Sequence, residues 1–191
     1  MKTISTNYIH EYEIKKSRFI GYTFLVNSEE EIDKHLTILR KEHSTATHIC
    51  YGYTLNSTAK CSDDGEPSGT AGLPILEVIR KNGLSNVLVV VVRYFGGIKL
   101  GAGGLIRAYS RCASDTIKQS DVKELNKYIT YRLEVNYANM PIITKILKGN
   151  KYKLIDTTYA TNIICNIATN EDIAQFYNIC ESVEQTGEVW Q

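Results

Sequence analysis

"VLVVVVRYFGGIKLGAGGLIRAYS", Val87 to Ser110, joins a run of β-branched residues to a helical pattern through five of the chain's thirteen glycines. The run Val87 to Val92 shows no alternation of apolar and polar residues, which fits a short strand covered on both faces. It is the expected central strand. From Gly104 to Lys118 the period becomes helical: Leu105, Ala108, Cys112 and Thr116 form one stripe. Arg107, Ser110, Arg111, Ser114 and Lys118 form the opposite, solvated one. Between strand and helix the glycines allow a tight turn, and the helix opens with unpaired N–H groups that suit an anion. Equally, glycines at this spacing serve close packing of helix on sheet.

Two nucleotide-binding readings fail on spacing. A P-loop needs GxxxxGK followed by Ser or Thr, and no lysine follows Gly97 and Gly101 at the required place. A dinucleotide fingerprint needs GxGxxG, but after Gly101 and Gly103 the third glycine position holds Ile106.

Outward from this stretch the chain alternates strands and helices. Ile20, Tyr22, Phe24 and Val26 alternate along a strand from Arg18 to Val26 with one face inward. "NSEEEIDKHLTILRKEH" opens a helix with a capping box, Ser28 and Glu31, and buries Ile32, Leu36 and Leu39. "THICYGYTL" is a strand with Ile49, Tyr51, Tyr53 and Leu55 on one side and His48 and Cys50 on the other. A helix is predicted from Leu73 to Arg80. The charge-rich stretch near Asp121 to Lys127 divides a first domain, 1–122, from a second, 123–191. In the second, "YITYRLEVNY" is read as strand and "NMPIITKILKG" as a helix capped by Asn139 and stopped by Gly149. "KLIDTTYA" and "NIICNIA" follow as strands, "NEDIAQFYNICES" as a helix and "EQTGEVW" as a last strand, a βαββαβ order of ferredoxin-like type. The expected class is α+β in two domains.

The totals bound the function. Across 191 residues, 43% hydrophobic and 23% charged residues describe a packed globular chain, and a net charge of +1 gives no chain-wide field to attract nucleic acid. Any such binding must come from a local patch. The N-terminus lacks an apolar signal core and no apolar run is long enough to span a bilayer, so the cytosol is expected and no membrane partner. Five cysteines without a CxxC pair are read as reduced thiols, with no metal site.

In "CSDDGEPSGTAGLP", Asp63, Asp64 and Glu66 do not match a calcium loop, and Ser68 is not in a GxSxG frame. Asp64-Gly65 and Pro67-Ser68-Gly69 are turn formers, and Ser68 or Thr70 is placed to cap the next helix, with side chains free to contact a ligand or partner. His48 and Cys50 point the same way, but no third catalytic partner is visible. "KKSRF" supplies Lys15, Lys16 and Arg18 to a solvated surface or to phosphates.

Taken together, "KKSRFIGY", "ATHICYGY", "SDDGEPSGTAGLPIL" and "VVVVRYFGGIKLGAGGLIRAYS" resemble the IMPACT/YigZ family over about residues 10 to 120. The resemblance implies an N-terminal α/β sandwich like domain 2 of ribosomal protein S5, the fold type of GHMP kinases, and a small ferredoxin-like second domain. It suggests association with ribosomes or structured RNA, since similar folds adjoin in elongation factor G; this is analogy of fold. Eukaryotic relatives are linked to translational control, with an added N-terminal RWD domain for which these residues leave no room.

The leading expectation is therefore a non-enzymatic, translation-associated regulator that binds RNA or the ribosome, with a protein partner in translational control also expected. Lys16, Arg18, Arg93, Lys99 and Arg107 would meet phosphates along a surface shaped by Gly96, Gly97, Gly101, Gly103 and Gly104. Asp63, Asp64 and Glu66 would orient those arginines or contact bases and protein, and His48, Ser68 and Thr70 are further contact candidates. No catalytic residue and no cofactor is assigned. The competing readings are a phosphate- or small-ligand-binding enzyme and a protein-interaction module. Nothing in the sequence specifies an oligomeric state.

Overall fold

In chain order the first unit contains β1 (Lys2–Ile4), β2 (Tyr8–Ile14), β3 (Ser17–Leu25), α1 (Glu29–Glu42), β4 (His48–Leu55), β5 (Thr58–Ser62), α2 (Gly72–Lys81), β6 (Val87–Tyr94), α3 (Ala102–Gln119) and β7 (Val122–Glu124). The second contains β8 (Lys127–Val135), α4 (Met140–Leu147), β9 (Tyr152–Tyr159), β10 (Ile163–Thr169), a 3-10 turn (Ala174–Asn178) and β11 (Ser182–Trp190). These elements come from a computed structural model that describes residues 1–55 and 57–190. The chain separates into two compact units, Met1–Glu124 and Leu125–Gln191.

β6 is the middle of a five-stranded antiparallel sheet ordered β2-β3-β6-β4-β5. Every residue from Val87 to Val92 is fully buried, because both faces of the strand are covered. Val87, Val89 and Val91 pack toward α2 and α3, with Ile75, Ile79, Leu105, Tyr109 and Ile117. Leu88, Val90 and Val92 pack toward α1, with Ile32, Leu36 and Leu39. Each such side chain contributes roughly 1.5–3 kcal/mol. The same sandwiching corrects the one-faced reading of β3. Phe19 belongs to the α2/α3 core and Ile20 and Tyr22 to the α1 core. Gly21 lets α3 press close, since a Cβ there would stand 2.1 Å from Thr116 Oγ1.

The local signals explain the helices. Ser28 Oγ accepts the Glu31 N–H, while the Glu31 carboxylate reaches back to the Asn27 N–H at 2.8 Å. α3 starts two residues before its predicted start, at Ala102, and its buried stripe also takes in Tyr109, Ala113 and Ile117. Outside the main sheet, β1 pairs with β7, returning the end of α3 to the chain's first residues.

In the second unit β8, β9, β10 and β11 form an antiparallel sheet ordered β11-β8-β10-β9. The helix expected over "NEDIAQFYNICES" is only the 3-10 turn, because the Asp172 carboxylate takes the Ala174 N–H and the Asp172 carbonyl takes the Tyr152 hydroxyl. Asn139 stands at the start of α4 but does not cap it with its side chain, whose amide donates to the Ile179 carbonyl instead.

Gly96 fixes the position of the β2–β3 hairpin. Lys15 and Lys16 form its two-residue turn, both at positive φ (48° and 62°), and a Cβ on Gly96 would lie 1.9 Å from the Lys16 carbonyl oxygen. Gly96→Ala is expected to lower stability by about 1–3 kcal/mol, the cost of overpacking. Gly103→Ala, whose Cβ meets only Arg107 Nη1 at 3.5 Å, is expected to be neutral or to stabilise by about 0.5–1 kcal/mol. Urea unfolding of both variants checks this, and equal midpoints would contradict it.

Candidate functional site

Three segments converge where β6 ends. β6 delivers Arg93, the loop after β5 delivers Glu66, and α3 delivers Tyr109; all three are buried. Arg93 Nη1 and the Tyr109 hydroxyl both donate to Glu66 Oε1, at 2.6 and 2.7 Å. The Arg93 guanidinium lies between the rings of Phe19 and Phe95, 5.5 and 5.4 Å from their centroids. Burial raises the Tyr109 hydroxyl far above its ordinary pKa, which keeps it a donor. Cys50 Sγ adjoins the same network, 3.0 Å from the Asp63 carbonyl and 3.4 Å from the Tyr109 oxygen. Burial pushes its thiol up to about 12, so Cys50 is a protonated structural donor at neutral pH rather than a thiolate nucleophile.

The acidic loop is held by its own carboxylates. Asp63 accepts the N–H groups of Gly69, Ala71 and Gly72 at 2.8, 3.0 and 2.8 Å and so caps α2 from eight residues upstream of Ala71. The expected caps do not serve: Ser68 is exposed and Thr70 Oγ1 donates to the Pro67 carbonyl. Asp64, at φ 44°, accepts the Ile49 N–H through its side chain, and its carbonyl accepts from His48 Nδ1 at 2.8 Å.

Beside this network lies a cavity of about 400 Å³ bounded by His48, Glu66, Arg93, Phe95, Lys99 and Leu105. α3 opens on its edge. Gly101, at φ 71°, precedes the helix without a side-chain cap, and the first helical bond runs from Leu105 N–H to the Gly101 carbonyl. The N–H groups of Ala102, Gly103 and Gly104 therefore lack intrahelical acceptors. Gly97, at φ 83°, supplies the other tight bend of the loop. On the far side of Leu100 a second groove is lined by Tyr12, Lys15, Arg107 and Arg111.

The structure thus sorts the predicted cations. Arg93, expected to meet phosphate, is buried and paired with Glu66, and Arg18 forms a surface pair with Glu11 at 2.5 Å. Lys15, Lys16, Lys99 and Arg107 form no ion pair among the described residues. Sequence reading missed Tyr109 and Phe95 as site residues. The signal for Tyr109 was its place one residue after Ala108 on the buried stripe of α3. Among the described residues no cluster of three His, Cys, Asp or Glu is arranged to hold a metal ion, and no helix is long and apolar enough to cross a membrane.

The residues that build this site fall within the stretch, 15–117, that matches the family model described as the Impact N-terminal domain. The chain belongs to the IMPACT family. It is 40% identical over 157 residues to the IMPACT family member YvyE of Bacillus subtilis, covering 81% of this chain and 72% of that protein. To the IMPACT family member YigZ of Escherichia coli it is 33% identical, covering 82% of this chain and 79% of the relative. Of Protein IMPACT from Danio rerio it matches only 29%, at 34% identity. A crystal structure of a hypothetical protein, 30% identical, superposes with a TM-score of 0.70 over 92% of this chain and 88% of that one.

Asp63 gives the loop a pH signature. Burial opposes its charge, but the three backbone N–H donors outweigh burial and hold its carboxyl below the ordinary pKa. A depressed folded-state pKa stabilises the protein above the unfolded carboxylate range, and this is lost as pH falls through the folded value. Asp63→Asn is expected to cost about 1–2 kcal/mol at pH 7, the scale of a lost cap, and progressively less in acid. Thermal unfolding between pH 7 and pH 3 checks this; a penalty that stays constant across the range would contradict it.

Proposed function

We propose that this IMPACT-family protein is a translation-associated regulator that acts without catalysis, binding RNA, free or on the ribosome, through the face around the start of α3. One observation carries the reading: four cations that form no ion pair among the described residues, Lys15, Lys16, Lys99 and Arg107, lie along the segments bounding the uncapped N-terminus of an 18-residue helix. Amide dipoles and cations then act together on one anion, and a row of such sites follows a phosphate backbone. Arg93 stays out of this set and acts as a structural cation beneath it. The translational part of the reading rests on the family, whose eukaryotic members the sequence resemblance links to translational control. A protein partner fits the second unit, where Leu154, Ile155 and Tyr159 of β9 are exposed.

A second reading, a phosphate- or small-ligand-binding enzyme on a GHMP-kinase-like frame, draws support from the cavity. Against it, α3 begins Ala102-Gly103-Gly104-Leu105, with no hydroxyl in that turn to hold nucleotide phosphate and magnesium. Thermal-shift assays separate the two, since a ligand at 100 times its Kd adds about 2.7 kcal/mol. No shift is expected with ATP and magnesium, and a clear one favours the enzyme. The RNA reading predicts that Lys99→Ala with Arg107→Ala flattens the plot of log K against log salt by roughly 0.7 per phosphate contact removed. Fluorescence titration of a single-stranded RNA at several salt concentrations measures it, and an unchanged slope would contradict it.

A further inference from the structure

The proposed phosphate face leaves the cavity beside it without a role, and the polar groups lining that cavity are incompletely used. Both hydrogen bonds to the Glu66 carboxylate go to Oε1. Its Oε2 receives neither of them, and the Glu66 side chain is only 3% exposed. The atom facing it is His48 Nε2, at 3.9 Å. His48 Nδ1 lies 2.8 Å from the Asp64 carbonyl, which can only accept, so Nδ1 carries a proton, and in the Nδ1–H tautomer Nε2 presents its lone pair toward Glu66. In that tautomer two acceptors face each other across 3.9 Å. Nearby, Arg93 Nε is buried without an acceptor. At the rim Phe95 is 45% exposed and stacks on the Arg93 guanidinium.

Three groups of atoms around the cavity each specify part of a ligand. Two acceptors about one group's width apart call for an amino group, which offers two N–H donors on one atom. Phe95 and the apolar Leu100 and Leu105 call for a flat ring. Lys99 and the open amides of Ala102, Gly103 and Gly104 call for an anion on the same molecule. An amino-bearing nucleobase on its phosphate meets all three requirements.

We propose that the cavity receives one unstacked, amino-bearing base of a single-stranded RNA. Its amino group donates to Glu66 Oε2 and His48 Nε2, its face lies on Phe95, and its phosphate sits at the start of α3. This rests on the RNA-binding reading and adds base selectivity to it. Cytosine fits, whereas uracil presents a carbonyl oxygen where cytosine has its amine and places an acceptor against two acceptors.

Fluorescence anisotropy with labelled cytidine and uridine hexamers tests the proposal, because both are pyrimidines of equal charge. The native protein is expected to bind the cytidine hexamer roughly ten-fold more tightly. Glu66→Gln, which replaces one carboxylate oxygen by an amide NH₂, is expected to erase that preference. Glu66 is part of a buried ion pair, so Phe95→Ala, at an exposed residue, carries an independent arm. It should weaken both hexamers several-fold with circular dichroism and melting unchanged. Equal, salt-dependent affinity of the native protein for both hexamers, or a folded Phe95→Ala that binds as well as the native protein, overturns the base pocket and leaves the phosphate reading standing. No binding of either hexamer overturns both.

Discussion

A carboxylate and a guanidinium buried against each other at the end of the central strand organise this domain. Glu66 and Arg93 come from segments 27 residues apart, and Tyr109 from α3 joins them through the same carboxylate oxygen. Replacing such a pair with apolar residues is often neutral, but removing one partner strands a buried charge and typically costs 3–5 kcal/mol. The pair therefore ties the acidic loop, the end of β6 and α3 into one arrangement. It also explains why an acidic motif stands beside a basic surface: Glu66 balances a buried arginine, Asp63 caps α2, and Asp64 holds the edge of β4.

The glycine-rich connection then has a mechanical role. Gly96 admits the hairpin turn against the loop, Gly97 and Gly101 bend it, and α3 begins with its amides uncovered at the cavity edge. A capping side chain at position 101 would satisfy those amides internally. Glycine there leaves them available, which is what an anion site requires.

The parts of this fold legible in the sequence are those where burial is one-sided or total. The valine run could only be a covered strand, α1 carried its cap and stripe openly, and α3 its stripe. β2 and β5 were not read as strands because they are edges, whose exposed residues, such as Glu11, Glu13 and Lys60, blur the alternation. The helix read over residues 170–182 has apolar residues at helical spacing, yet only Ile173 and Phe176 are buried there, and the local hydrogen bonds of Asp172 divert the backbone. Of the site, the cations were visible but their division was not. Nothing local distinguishes Arg93 from Lys99; the difference lies in Glu66, brought in by a turn of long sequence separation. The same holds for the cap on α2, where the nearby Ser68 and Thr70 were the reasonable candidates and Asp63 does the work.

The central claim, that the start of α3 and the cavity beside it form an RNA-binding face, is tested most directly by backbone amide NMR. The ¹⁵N-labelled protein would be titrated with a short cytidine-rich single-stranded RNA. The account predicts that the largest shifts fall on Ala102, Gly103 and Gly104, with smaller ones at Phe95, Lys99 and the Lys15–Lys16 turn. Shifts confined to residues after Leu125, or none at saturating RNA, would contradict it.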